Sequence, residues 1–66
     1  MISLVLNGEP RECTARTVSL LVQELDMAPE TLLIEHNGTA LLRSEWPETI
    51  LSDGDRLEFL RVAAGG

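Results

Sequence analysis

Aromatic side chains are almost missing: Trp46 and Phe59 are the only two, and tyrosine is absent. Any core must therefore be built from aliphatic residues. The only cysteine is Cys13, which excludes an internal disulfide, and with His36 as the only histidine there is no Cys/His set spaced to hold a metal. The fold has to stand on packing alone. A lone thiol suits a reducing compartment, and no charged start runs into a long apolar stretch, so neither a signal peptide nor a membrane span is expected. These two readings together place the chain in the cytoplasm. Basic residues are scarce, with five against eleven acids and a net charge of −6. Such a surface repels phosphate backbones, which argues against nucleic acid as a partner. It favours approach to a basic protein surface, unless the acidity serves only solubility.

What the 66 residues do contain is 44% hydrophobic content, enough for one compact domain, arranged with clear periodicity. Ile2, Leu4 and Leu6 alternate with Ser3 and Val5, the pattern of a half-buried strand. Asn7-Gly8 is a hairpin signal because both residues accept positive φ. The returning strand is expected over 11–14, with Pro10 at an edge or at its start, because proline cannot donate to a ladder. Thr17 is placed to cap a helix whose apolar stripe is Val18, Leu21, Val22 and Leu25, with Leu20 at its flank. A helix this short must pack on a sheet to persist. Pro29 marks a turn, and 32–36 is a third strand with Leu32, Ile34 and His36 on one face and Leu33 and Glu35 on the other.

Asn37-Gly38 is a second tight turn, leading into a short strand over 39–42. Ser44-Glu45-Trp46-Pro47 suggests one helical turn capped by Ser44. After Asp53-Gly54-Asp55 comes a final strand over 56–62, with Leu57 and Phe59 on one face and Glu58, Leu60 and Val62 on the other. Hairpin, helix, strand, short strand and last strand make an α+β chain of the β-grasp, ubiquitin-like layout. Four to five strands form a mixed sheet on one main helix. The domain is expected over 1–62, with 63–66 as a tail.

Few residues suit catalysis. His36 has no second histidine or acid motif beside it in sequence, so a structural or surface role is expected. Nothing flanking Cys13 would lower its pKa, which favours a small buried hydrophobe. Glu45, Glu48, Asp53, Asp55 and Glu58 fall at turns and on a strand without a pocket-forming pattern, so they are read as a solvated face. No phosphate-binding glycine motif occurs, and enzymatic activity by the chain alone is not expected. Leu60 and Val62, pointing outward, could join Val5 and Leu33 in an exposed apolar patch of the kind at which partners dock. Directly after that strand come Ala63, Ala64, Gly65 and Gly66. The end is either frayed or a slim flexible arm carrying a working carboxylate, since glycine has no Cβ to obstruct a narrow passage.

The turns Asn7-Gly8-Glu9-Pro10 and Asn37-Gly38 and the capped start Thr17-Val18 resemble the bacterial ubiquitin-like sulfur carriers. Arg43-Ser44-Glu45-Trp46, Ile50, Asp53-Gly54-Asp55 and the terminal Gly65-Gly66 resemble in particular those of thiamine biosynthesis. The resemblance spans essentially the whole chain. It implies a carrier, not an enzyme, whose Gly66 carboxylate is adenylated by an ATP-dependent activating enzyme. A sulfur donor such as a cysteine desulfurase then supplies sulfur to form a thiocarboxylate, which thiazole synthase consumes. It implies no metal and no cofactor bound by the chain itself, with ATP held by the partner, and gives Cys13 no role. Related readings are a carrier for molybdopterin synthase, of which the small subunit is usually longer, or for cysteine synthesis. A ubiquitin-like modifier joined to lysines, or a plain interaction module, stands further off.

Overall fold

The computed structural model describes residues 1–62. Strand β1 (Ile2–Leu6) turns back through Asn7-Gly8 into β2 (Glu9–Cys13). Helix α1 (Val18–Glu24) follows, then a 3₁₀ turn (Pro29–Thr31), β3 (Leu32–His36), β4 (Thr39–Leu41), a second 3₁₀ turn (Arg43–Glu48) and β5 (Arg56–Arg61). The five strands lie in the order β2-β1-β5-β3-β4. β5 runs parallel to β1 and antiparallel to β3, so the last strand fills the centre of the sheet. This is the β-grasp arrangement expected from the sequence.

Both Asn-Gly turns take left-handed backbone at each central residue, with φ of 50° and 82° at Asn7 and Gly8 and 52° and 85° at Asn37 and Gly38. That is the geometry whose twist matches the flanking strands. β2 starts at Glu9, so Pro10 lies inside the strand, on the sheet's edge where its missing N–H costs nothing.

The inward faces are those that the alternation requires. Leu4, Leu32, Ile34, Leu57 and Phe59 are buried against Val18, Leu21 and Val22 of α1, with Cys13, Ala15, Trp46 and Leu51 closing the cluster. Leu20 stays on the outside. The Oγ1 of Thr17 accepts the N–H of Leu20 at 3.2 Å, as an N-cap should. Backbone bonds from Val18 N–H to Thr49 O (3.1 Å) and from Leu51 N–H to Arg16 O (2.9 Å) tie the helix start to the segment before β5. Asp26, at φ 56°, turns left-handed and ends the helix where glycine is commoner.

Two local readings are corrected. The second 3₁₀ turn is not capped by Ser44. It begins after Leu42, and the carboxylate of Glu45 reaches back to accept the Leu42 N–H at 2.7 Å. The acids near β5 are not all a solvated face. Asp55 is buried at 9% exposure, and Asp53 Oδ1 accepts the Ser3 N–H at 2.8 Å while Gly54 N–H donates to Ser3 O at 2.8 Å. These side chains brace the turn against β1, a use that tertiary placement alone creates.

Candidate functional site

The site follows from the alternation of β5. Because Leu57 and Phe59 point into the core, Glu58 and Leu60 must point out, and Val62 continues that face just beyond the strand. Leu60 is 57% exposed and Val62 40% exposed. On β3, Leu33 lies directly opposite Leu60 in the register and is 58% exposed, so two leucines side by side form the centre of an open apolar surface. The Val62 N–H donates to Thr31 O at 2.8 Å, which carries the ladder past the end of β5 and holds Val62 against the sheet.

Val5 shares the outer face but not the patch. It is half-buried, paired across to Arg56. Arg56 and Leu60 lie four residue steps apart along the strand, about 13 Å at the usual rise. Ala63, Ala64, Gly65 and Gly66, including the expected site of sulfur attachment, lie outside the described residues.

One more row crosses this face. Glu35 of β3 is opposite Glu58 of β5, one step below the leucine pair, and both are exposed. Like charges directly opposite on a sheet destabilise it. Among the described residues the one ion pair within 4 Å is His36 with Asp55, so neither glutamate is ion-paired, although Arg56 is the next outward residue before Glu58 on β5.

β5 is held from both sides by the two turn asparagines. Asn7 Oδ1 accepts the Phe59 N–H at 2.7 Å and its Nδ2 donates to Phe59 O at 3.2 Å. On the other side Asn37 Oδ1 accepts the Arg56 N–H at 2.8 Å, and the Asn37 N–H donates to Arg56 O at 2.8 Å. The sequence pattern marked these residues only as turn formers.

His36 has the acid partner that its sequence neighbourhood lacks. Its Nε2 is 2.8 Å from Asp55 Oδ2, and since a carboxylate only accepts, Nε2 carries the hydrogen. Asp55 Oδ2 also accepts the Ser52 N–H at 2.9 Å, and Oδ1 accepts Asn37 Nδ2 at 3.2 Å. Burial pushes the Asp55 carboxyl up, but the bonds from His36, Ser52 and Asn37 outweigh it and hold the group below the usual carboxylate range. The pair is part-buried at the start of β5, and its bonds with Ser52 and Asn37 fix the entry to that strand. It is a structural clamp.

Cys13 is buried, and its Sγ–H points to Ala15 O at 3.7 Å. Burial first, and the charge of Glu24 second, push its thiol up, which disfavours the thiolate a nucleophile needs. Trp46 is buried beneath α1 with Arg43 Cζ 5.7 Å from its ring centroid, so it packs its segment. No group of three or more His, Cys, Asp or Glu among the described residues could hold a metal ion. No helix there is long and apolar enough to cross a membrane.

A five-stranded mixed sheet with its last strand at the centre, packed on one main helix, defines a ubiquitin-like β-grasp domain. The chain belongs to the ThiS family, whose model matches residues 4–66. It is 33% identical to the sulfur carrier protein ThiS of Thermus thermophilus, over 92% of this chain and 95% of that protein. It is also 33% identical to a thiazole synthase of Paramagnetospirillum magneticum, over 98% of this chain but only 20% of that one. Among solved structures, the thiamine biosynthesis protein ThiS of Geobacter metallireducens superposes with a TM-score of 0.84 at 33% identity, covering 98% of this chain and all of that one.

Proposed function

We propose that this chain is a sulfur carrier of thiamine biosynthesis, working at its own C-terminus. The observation that carries this reading is the family match, which runs through to Gly66. The β-grasp body beneath it, with Leu33 and Leu60 open on the sheet face, supports it as the surface that partners hold.

The chemistry follows from what a carboxylate lacks. The Gly66 carboxylate is a poor electrophile. In the proposed sequence its oxygen attacks the α-phosphorus of ATP on an adenylating enzyme, and pyrophosphate leaves. The sulfur of a persulfide, supplied by a donor such as a cysteine desulfurase, attacks the acyl carbon, and AMP leaves with the former carboxylate oxygen. A thiol then cleaves the S–S bond, forming a disulfide on the donor side and releasing the thiocarboxylate. Thiazole synthase takes that sulfur. That a thiazole synthase contains a segment similar to this chain supports an encounter between the two. ATP is used by the partner, and the chain itself contributes no catalytic group and no metal. Ala63, Ala64, Gly65 and Gly66 present little bulk, which suits entry into a narrow active site. A reducing cytoplasm fits both the free Cys13 and the persulfide chemistry.

The test is an intact-mass measurement after incubation with ATP, the adenylating enzyme and a persulfide donor. Exchange of one carboxyl oxygen for sulfur is expected in the full chain and not in a chain lacking Gly66. Absence of the exchange, or its persistence without Gly66, overturns the reading. Consumption of the sulfur by thiazole synthase and not by molybdopterin synthase then selects the pathway. Leu60→Asp is expected to slow loading while the chain stays folded.

A further inference from the structure

On the outer sheet face the leucine pair and the glutamate pair occupy adjacent rows of the same two strands. Leu33 faces Leu60, and one alternation along, Glu35 faces Glu58. Each row is unfavourable for the free domain. Two exposed leucines leave apolar surface in water. Two carboxylates directly opposite repel, and no cation lies within ion-pairing distance of either among the described residues. The one buried acid among the described residues is treated differently, since Asp55 is surrounded by donors from His36, Ser52 and Asn37. The outward glutamates therefore have unused acceptor capacity next to the apolar surface, on a chain of net charge −6.

We propose that Glu35 and Glu58 together receive an arginine or lysine of the adenylating enzyme, seated beside an apolar surface that covers Leu33, Leu60 and Val62. The inference rests on the carrier reading above and adds the chemistry of the partner's matching surface. One cation between two carboxylates removes their repulsion, so part of the favourable interaction appears only in the complex. An arginine can bond both at once through its planar fork. The leucines supply the apolar contact, and the acid row fixes which way along β5 the partner lies. Orientation matters here because the C-terminus must leave the sheet toward the partner's active site.

The test uses the full chain and the adenylating enzyme encoded in the same genome, reading carrier-dependent pyrophosphate release. Glu35→Gln with Glu58→Gln is expected to raise KM for the carrier about tenfold at low salt with kcat unchanged, and the difference is expected to close near 0.5 M salt as screening removes it. Melting of the double variant is expected at or above that of the parent, because the repulsion is gone. Asp26→Asn with Glu48→Gln changes net charge equally at exposed sites away from this face and is expected to shift KM by less than about twofold. An unchanged KM in the first variant, an equal shift in the second, or a shift that persists at high salt overturns the inference. Leu60→Ser separates the two readings. If it raises KM while the glutamate variant does not, the docking face stands and only the charge reading fails. If Leu60→Ser leaves KM unchanged, the docking face itself is wrong.

Discussion

Asn7 grips Phe59 by both faces of one peptide position, accepting its N–H at 2.7 Å and donating to its carbonyl at 3.2 Å. β1 ends at Leu6, and the carboxamide continues the parallel pairing for one more residue of β5. A residue chosen for a turn thus also decides how far the central strand is held before it leads to the tail. Asn7→Gly keeps the turn's positive φ and removes only the grip. It is expected to cost about 1–2 kcal/mol, since it leaves a part-buried N–H and C=O without partners. Urea denaturation with the midpoint and slope both fitted would check it, and a loss below about 0.3 kcal/mol would show that water replaces the carboxamide freely.

Neighbouring residues on β5 should respond oppositely. Phe59→Ala removes a buried ring and is expected to cost about 3–5 kcal/mol, enough to unfold much of a domain this small. Leu60→Asp changes an exposed side chain and is expected to stay within about 0.5 kcal/mol of the parent. Thermal melts of the two variants side by side test the assignment of the strand's faces, and a large loss in Leu60→Asp would mean the faces are reversed.

Acid should loosen the clamp below β5. Asp55 is held below the ordinary carboxylate range in the folded chain. A depressed folded pKa contributes stability that is fully present above the unfolded value, about 3.9, and is lost as pH falls through the lower folded value. Parent stability should therefore drop below about pH 4. Asp55→Asn should be less stable at pH 7 and should show a shallower acid slope. Urea midpoints measured from pH 7 down to pH 2.5 check both, and equal slopes in parent and variant would remove Asp55 from the acid transition.

Trp46 is buried with its Nε1–H lacking a hydrogen-bond partner among the described residues. Trp46→Phe gives up ring volume but also removes a desolvated donor, and the two effects oppose. The expected net change is under about 1.5 kcal/mol, against about 3–5 kcal/mol for Trp46→Ala. Denaturation followed by circular dichroism compares them, because the substitution removes the only tryptophan and with it the intrinsic fluorescence signal. A Phe variant as damaged as the Ala variant would show that the indole's shape outweighs its orphaned N–H.

The alternation in 2–6, 32–36 and 56–61 and the stripe Val18, Leu21, Val22 and Leu25 were legible in the sequence, because a period of two or of 3.6 is a local property of the chain. That periodicity determined which side of each strand and of α1 meets the core. It also placed Leu60 outward, immediately before the glycine-ended tail. What it could not contain is the pairing across distance. Asp55 meets His36 nineteen residues away, and Asn7 meets Phe59 fifty-two away. Leu33 comes to face Leu60, Glu35 comes to face Glu58, and Val5 is drawn away from both. Those meetings exist only because β5 inserts between β1 and β3. Register is a relation between strands, so the tertiary structure decided it, and with it the two rows that a partner would touch.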